Sequence, residues 1–243
     1  MDLLDPLSWL IIFGSFLSTA TSSAFGIGGG FVMIAILSSI LPITAMVPVH
    51  SVMMVGLSLS RTWYFKNDIH WPIVKPFVIG AVIGAFAGTY LYVDLSEVFI
   101  AVCIAVLMLL AVWTPEIKLK RDIPHPFFLI GIAHSFLSAL FSFGGIFQPV
   151  MVRTRLNKMQ ITATLAGGLM CMNTFKITGY VIFGFDFKPY IWVMFLAILA
   201  AFPGAKLGKA MLRRISEAQF RLVFKLIMTV FAIRLLYRAW LLA

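Results

Sequence analysis

Residues 6–60 contain no lysine, arginine, aspartate or glutamate. A bilayer core of about 30 Å is crossed by roughly 20 apolar residues in a helix, so a tract of this length enters a membrane more than once. Further charge-free tracts occupy 98–113, 126–152, 159–175 and 189–205. None has the apolar–polar alternation that a membrane β-barrel wall requires. The charged share, 12% against 61% hydrophobic, is about half that of a soluble domain. The expected class is therefore an all-α polytopic membrane protein, with residues 1–243 forming a single transmembrane domain.

Apolar spans are expected at 7–25, 43–65, 72–93, 97–114, 126–142, 158–184, 188–210 and 217–240, with shorter helical pieces at 31–41 and 146–152. The N-terminus carries Asp2 and Asp5 and no basic cluster, so a cleaved signal peptide is not expected and the first helix is read as retained. Cys103 and Cys171 stand inside apolar tracts and read as small packing residues. The net charge of +10 does not point to nucleic acid, because the basic residues fall in short segments between apolar tracts. That is the distribution of topology signals.

The chain repeats itself in weak but ordered matches. Ser15, Phe16, Leu17 and Ser18 recur as Ser135, Phe136, Leu137 and Ser138. The tract from Phe25 to Phe31, with Gly26, Gly28, Gly29 and Gly30, recurs as Phe141 to Phe147 with Gly144 and Gly145. Asp68 matches Asp186; Gly84, Ala85 and Gly88 match Gly204, Ala205 and Gly208; Ser96 and Glu97 match Ser216 and Glu217. All offsets lie between 116 and 120 residues. This divides the chain into repeat 1 (1–114), a loop (115–125) and repeat 2 (126–243), an arrangement typical of transporters.

Four basic groups, around Arg61 and Lys66, Lys118 to Arg121, Arg153 to Lys158, and Lys206 to Arg221, are assigned to the cytoplasm. Segment 126–152 then starts and ends on one side. Breaking it at Gly144 and Gly145 into a re-entrant hairpin satisfies this, and the same break at 26–30 serves the first tract. Each half becomes a broken re-entrant helix pair plus about three spans, an odd number, so the halves are inverted. In repeat 1 the arms are unequal, about 28 Å for 7–25 and about 16 Å for 31–41 at 1.5 Å per residue. Eight full spans with a parallel repeat is the alternative. In the last helix Arg234 and Arg238 project roughly opposite to Arg221 and Lys225. This suggests a span whose two ends snorkel to opposite interfaces.

Irregular backbone at membrane depth is tolerated only against protein or a water-filled cavity, and a helix starting there presents N–H groups and a positive dipole end to an anion. Gly28, Gly29 and Gly30, with Gly144 and Gly145, are candidate substrate ligands on that ground. Gly80, Gly84 and Gly88, at four-residue spacing, read instead as helix-packing glycines. Lys176 stands alone in an apolar helix, where a charge costs about 3 kcal/mol on insertion scales. It is the candidate counter-charge, unless it snorkels to the headgroups. Asn173, three residues earlier, shares its face. His50 with Ser51, and Gln148 beside the second break, are candidate hydrogen-bond partners. His134 reads as structural. No metal-ligand spacing and no nucleophile–base pair stands out, so neither a metal, a cofactor nor an intramembrane enzyme is expected.

The glycine tract following Ser15 and Ser18, its second copy at Phe143, Gly144 and Gly145, the pair Asn173 and Lys176, and the turn Asn67 to Trp71 together resemble the TauE/SafE family of sulfite exporter-like permeases. The resemblance covers nearly the whole chain and implies a bacterial inner-membrane carrier of small sulfur-containing anions such as sulfite or sulfonates. The chain departs from the commoner pattern at Ser142 and Phe143 and at His50. The expected function is alternating-access transport of such an anion, with a passive anion channel or a membrane scaffold as the alternative. A proton or sodium as coupling ion, and a homodimer, are compatible with it.

Overall fold

The computed structural model describes residues 5–25, 28–113, 126–142, 146–152, 154–211 and 217–242. Arg153, Gly144, Gly145 and the central loop lie outside the described residues. Among the described residues there are ten α-helices and no strand: α1 (Pro6–Phe25), α2 (Gly29–Ile40), α3 (Ile43–Phe65), α4 (Trp71–Asp94), α5 (Glu97–Trp113), α6 (Pro126–Phe141), α7 (Phe147–Val152), α8 (Lys158–Ile182), α9 (Ile191–Met211) and α10 (Glu217–Leu242). Short 3-10 turns, Lys66–Asp68 and Lys188–Tyr190, precede α4 and α9. The helices match the spans expected from the apolar tracts. Four segments in this described part, Pro6–Ala24, Ile43–Asp68, Trp71–Asp94 and Lys188–Met211, are long and apolar enough to cross a membrane.

The distribution of side chains is that of a protein solvated by lipid. Ile79, Ile83, Phe195, Leu199, Val230 and Ile233 are half or more exposed, whereas Ser15, Ser18, Ser135, Ser138, His50 and His134 are buried. Apolar faces turned outward and polar groups turned inward suit a solvent that cannot hydrogen-bond.

Helix α2 folds back along α1. A Cβ on Gly29 would meet Ser18 and Ser22, and one on Gly14 would meet Ile36, so α2 ascends as α1 descends. The two form an antiparallel hairpin whose arms, 20 and 12 residues long, keep the expected inequality. The start of α7 likewise lies beside α6, where the Phe147 N–H donates to His134 Nδ1 at 3.3 Å.

Small residues bring helix backbones together across the two halves. Gly80, Gly84 and Gly88 lie against the backbone of Phe128, Ile132 and Phe136 on α6, and Gly131 of α6 lies against Phe77 on α4. Gly204 and Gly208 of α9 lie against Phe16 and Ala20 of α1 in the same parallel sense. Under the repeat offset α1–α9 and α6–α4 are equivalent pairs, and so are α3–α9 and α8–α4. Helices α3 and α8, themselves equivalents, pack on each other at the centre, and so do α5 and α10. The pair α3–α8 is antiparallel. Arg61, late in α3, reaches Thr162, early in α8. At the other end Tyr92 donates to the Ile43 carbonyl at the start of α3 and meets Tyr180 of α8 edge-on, centroids 5.4 Å apart.

Two cations of the last helix have specific partners toward its two ends. Lys225 sits 3.6 Å from the Trp113 ring centre. Arg238 does not simply snorkel: Nη1 donates to the carbonyls of Ser38 and Leu41, at 2.9 and 2.8 Å, closing the C-terminal end of α2. Those carbonyls lack intrahelical donors.

Candidate functional site

Helix α1 stops at Phe25 and α2 starts at Gly29, between them Gly28 with φ +92°, a left-handed conformation that glycine adopts without penalty. The break opens onto a cavity of about 90 Å³ between α1, α2, α3, α6, α7 and α8. A water occupies roughly 10–15 Å³ on this measure, so the space holds several water-sized groups or an oxyanion of sulfite size. Gly28, Gly29 and Gly30 form part of its wall.

Gly29 and Gly30 have different surroundings. Ser18 Oγ donates to the Gly29 carbonyl at 2.5 Å, and a Cβ on Gly29 would lie 2.6 Å from Ser22 Cβ. Gly29 is thus a close-packing position as well as cavity wall. A Cβ on Gly30 would meet nothing nearer than Met54 Sδ at 3.4 Å and His50 Nε2 at 3.8 Å.

His50 Nε2 lies 3.0 Å from the Gly30 carbonyl. A carbonyl only accepts, so Nε2 carries the hydrogen. Nδ1 is buried and has no partner among the described residues. His50, Met54, Leu57, Ser58 and Arg61 all line the cavity, at the three- and four-residue spacing of one helix face.

Helix α8 supplies the opposite wall. A capping box starts it: Asn157 Oδ1 accepts from the Gln160 N–H at 2.9 Å, and Gln160 Oε1 accepts from the Asn157 N–H at 3.1 Å. Two to four turns on, Leu165, Leu169, Met172 and Asn173 face the cavity. Lys176 is fully buried, which excludes snorkelling in this conformation. Its Nζ donates to Ser138 Oγ at 3.0 Å and to Asn173 Oδ1 at 3.4 Å. Asn173 is held in turn by its Nδ2, which donates to the Leu169 carbonyl at 2.8 Å. No aspartate or glutamate is buried among the described residues, and among them the ammonium rests on neutral oxygens.

Of the residues singled out in the sequence, the structure brings Gly28, Gly29, Gly30, His50, Gln148 and Asn173 to one cavity, with Lys176 behind Asn173 and Ser138. Ser51 does not join them. Its Oγ donates to the Val47 carbonyl of its own helix, fully buried. Gly144 and Gly145 lie outside the described residues.

Two ionisable wall residues, His134 and Arg61, are not read as site residues from the sequence. His134 lines the cavity. Because its Nδ1 accepts from Phe147, its Nε2 carries the hydrogen and has no partner among the described residues. Arg61, which the sequence places near the end of the span 43–65 in a basic group at the cytoplasmic side, is instead buried, 2% exposed, on the cavity wall. The available signal was the helical stripe running from His50 through Ser58. Four buried polar atoms without a partner among the described residues, His50 Nδ1, Arg61 Nε, His134 Nε2 and Ser142 Oγ, belong to this wall. Buried polar groups are ordinarily satisfied, and these four unpartnered atoms on one cavity wall make it the candidate ligand site. Among the described residues no group of three His, Cys, Asp or Glu is placed to hold a metal.

The sequence matches the family described as sulfite exporter TauE/SafE over residues 10–235. It is also similar to a probable membrane transporter protein of Methanocaldococcus jannaschii, 27% identical over 257 residues, covering 93% of this chain and 94% of that protein. No solved structure matches the chain.

Proposed function

The chain belongs to the sulfite exporter TauE/SafE family and is a membrane transporter, and we propose that it carries a small sulfur-containing anion, sulfite or a sulfonate, by alternating access around the cavity between α3 and α8. The observation that carries this reading is Lys176: a fully buried ammonium, held by Ser138 and Asn173 and by no carboxylate among the described residues, beside a cavity of oxyanion size. A buried cation without a counter-ion is costly, and an anionic ligand removes that cost.

In the proposed cycle two inverted repeats rock about the packed pair α3–α8. The α1–α2 and α6–α7 hairpins present the broken helix ends to the substrate from the two halves. At one end of the cavity stands Arg61, which joins Ser22 of α1 to Thr162 of α8. Toward the other end stand Tyr92 and Tyr180, tied to the carbonyls of Ile43 and Ala139. The positive-inside rule supports a cytoplasmic Arg61 end, and a bacterial inner-membrane location is part of the same proposal.

Purified protein reconstituted in liposomes tests the reading. A carrier shows saturable uptake of radiolabelled sulfite, accelerated by unlabelled sulfite on the far side. Flux that never saturates and shows no such counterflow assigns the chain to the channels instead.

A further inference from the structure

We propose that Arg61 is the second cation of this anion site, so that the cavity is matched to a doubly charged sulfur oxyanion in preference to a singly charged one. The proposal rests on the anion-carrier reading above and adds to it a residue and a charge class.

Arg61 is 2% exposed, although a cation near a helix end ordinarily reaches for the headgroups. Its side chain lies on the wall of the cavity that Ser138 and Asn173, the partners of Lys176, also line. Nη1 donates to Ser22 Oγ at 2.8 Å, and Nη2 to the Thr162 carbonyl at 3.4 Å, a long and weak bond. Both acceptors are neutral. Nε is buried and has no partner among the described residues. A guanidinium does not deprotonate in a protein and carries five N–H donors in a planar fork suited to oxyanions.

The cavity is therefore flanked by two cations from equivalent helices, Arg61 of α3 and Lys176 of α8, and no carboxylate is buried among the described residues. In a low-dielectric interior such charges act on a ligand beyond direct contact. A dianion lying between them offsets more of this positive charge than a monoanion does. His134 Nε2–H, also without a partner among the described residues, adds a neutral donor on the same wall.

A different role for Arg61 would be that of a strut between α1 and α8. A strut depends on the bonds to Ser22 and Thr162 and is indifferent to ligand charge, so the two roles separate in a binding experiment. Sulfate and methanesulfonate serve as probes: both are tetrahedral at sulfur and of similar size, with two charges and one. Binding to the purified full-length protein is measured calorimetrically, with sulfite at alkaline pH as a further dianion. Wild type is expected to bind sulfate or sulfite at least about tenfold more tightly than methanesulfonate. Arg61→Gln is expected to remove most of that preference by weakening the dianions, while Arg61→Lys retains it.

Equal affinity of wild type for dianion and monoanion overturns the proposal and leaves the anion-carrier reading standing. So does an Arg61→Gln protein that weakens both probes by the same factor. Should Arg61→Gln not fold, the wild-type ratio and its retention in Arg61→Lys decide the matter. A wild type that binds none of the three probes overturns the carrier reading itself, and this proposal with it.

Discussion

The carbonyl oxygen of Ser18 lies 2.5 Å from the point where a Cβ on Gly29 would stand, while the Ser18 hydroxyl donates to the Gly29 carbonyl. This relationship fastens the start of α2 to α1 and makes Gly29 intolerant of any side chain. The neighbouring residue is free of that constraint, since a Cβ on Gly30 projects toward Met54 and His50.

The pair gives a direct test of what the glycine break does. Gly29→Ala is expected to lower detergent-solubilised stability by about 1–3 kcal/mol, the usual cost of overpacking. The same is expected of Gly84→Ala, whose Cβ would strike the Ile132 carbonyl. Gly30→Ala is expected to leave thermal stability nearly unchanged and to weaken sulfite binding, because its methyl enters the cavity. If Gly30→Ala binds sulfite like wild type, the break is not part of the site.

Lys176→Met removes the charge and keeps the volume. A hydrogen bond to a charged group contributes about 1.5–3 kcal/mol, so sulfite affinity is expected to fall roughly ten- to a hundredfold, with the protein still inserted and monodisperse. Ser138→Ala takes away one acceptor of Lys176 Nζ and is expected to cost about 1 kcal/mol in binding. The two effects are expected to be non-additive, as for groups in one network. Normal transport by Lys176→Met would refute the central role given to this residue.

The helices were legible in the sequence because lipid allows so few alternatives: apolar tracts, punctuated by Gly, Pro and charge, fix where a helix can run. Lys176 was legible for a related reason, since a lone cation in an apolar helix has to be accounted for. Arg61 was not. It stands five residues before Lys66, and from sequence a cation so near a helix end belongs to the interface. Its burial depends on Ser22 and Thr162, which come from distant parts of the chain. His134 was illegible because its role depends on which ring nitrogen Phe147 engages. Ser51 was misleading because it adjoins His50. Successive residues on a helix point about 100° apart, and the cavity face continues instead to Met54, Ser58 and Arg61.

Arg238 supplies a prediction outside the site. Its guanidinium closes the end of α2 through the Ser38 and Leu41 carbonyls. Arg238→Met keeps the apolar stem and strands those carbonyls at a cost of about 1–3 kcal/mol. The expected result is a lower unfolding temperature with an unchanged sulfite dissociation constant for the protein that stays folded. An altered dissociation constant at unchanged stability would mean that α2 moves during binding and that Arg238 controls it.

Topology decides whether the two halves are inverted, because the geometry of the cavity alone does not say which end faces the cytoplasm. Lys66 and Asp186 are both exposed and stand in the equivalent turns before α4 and α9. In a parallel repeat of full spans these two turns share a side; in an inverted repeat they oppose each other. The antiparallel packing of α3 on α8 favours opposition, and the basic group around Lys66 puts that turn inside. Lys66→Cys and Asp186→Cys, each made with Cys103 and Cys171 replaced by alanine, separate these cases. A membrane-impermeant maleimide added to intact cells is expected to modify position 186 and spare position 66, and to reach both after permeabilisation. Modification of both positions from outside would leave the repeats parallel, and the rocking of two inverted halves around Lys176 would have to be abandoned.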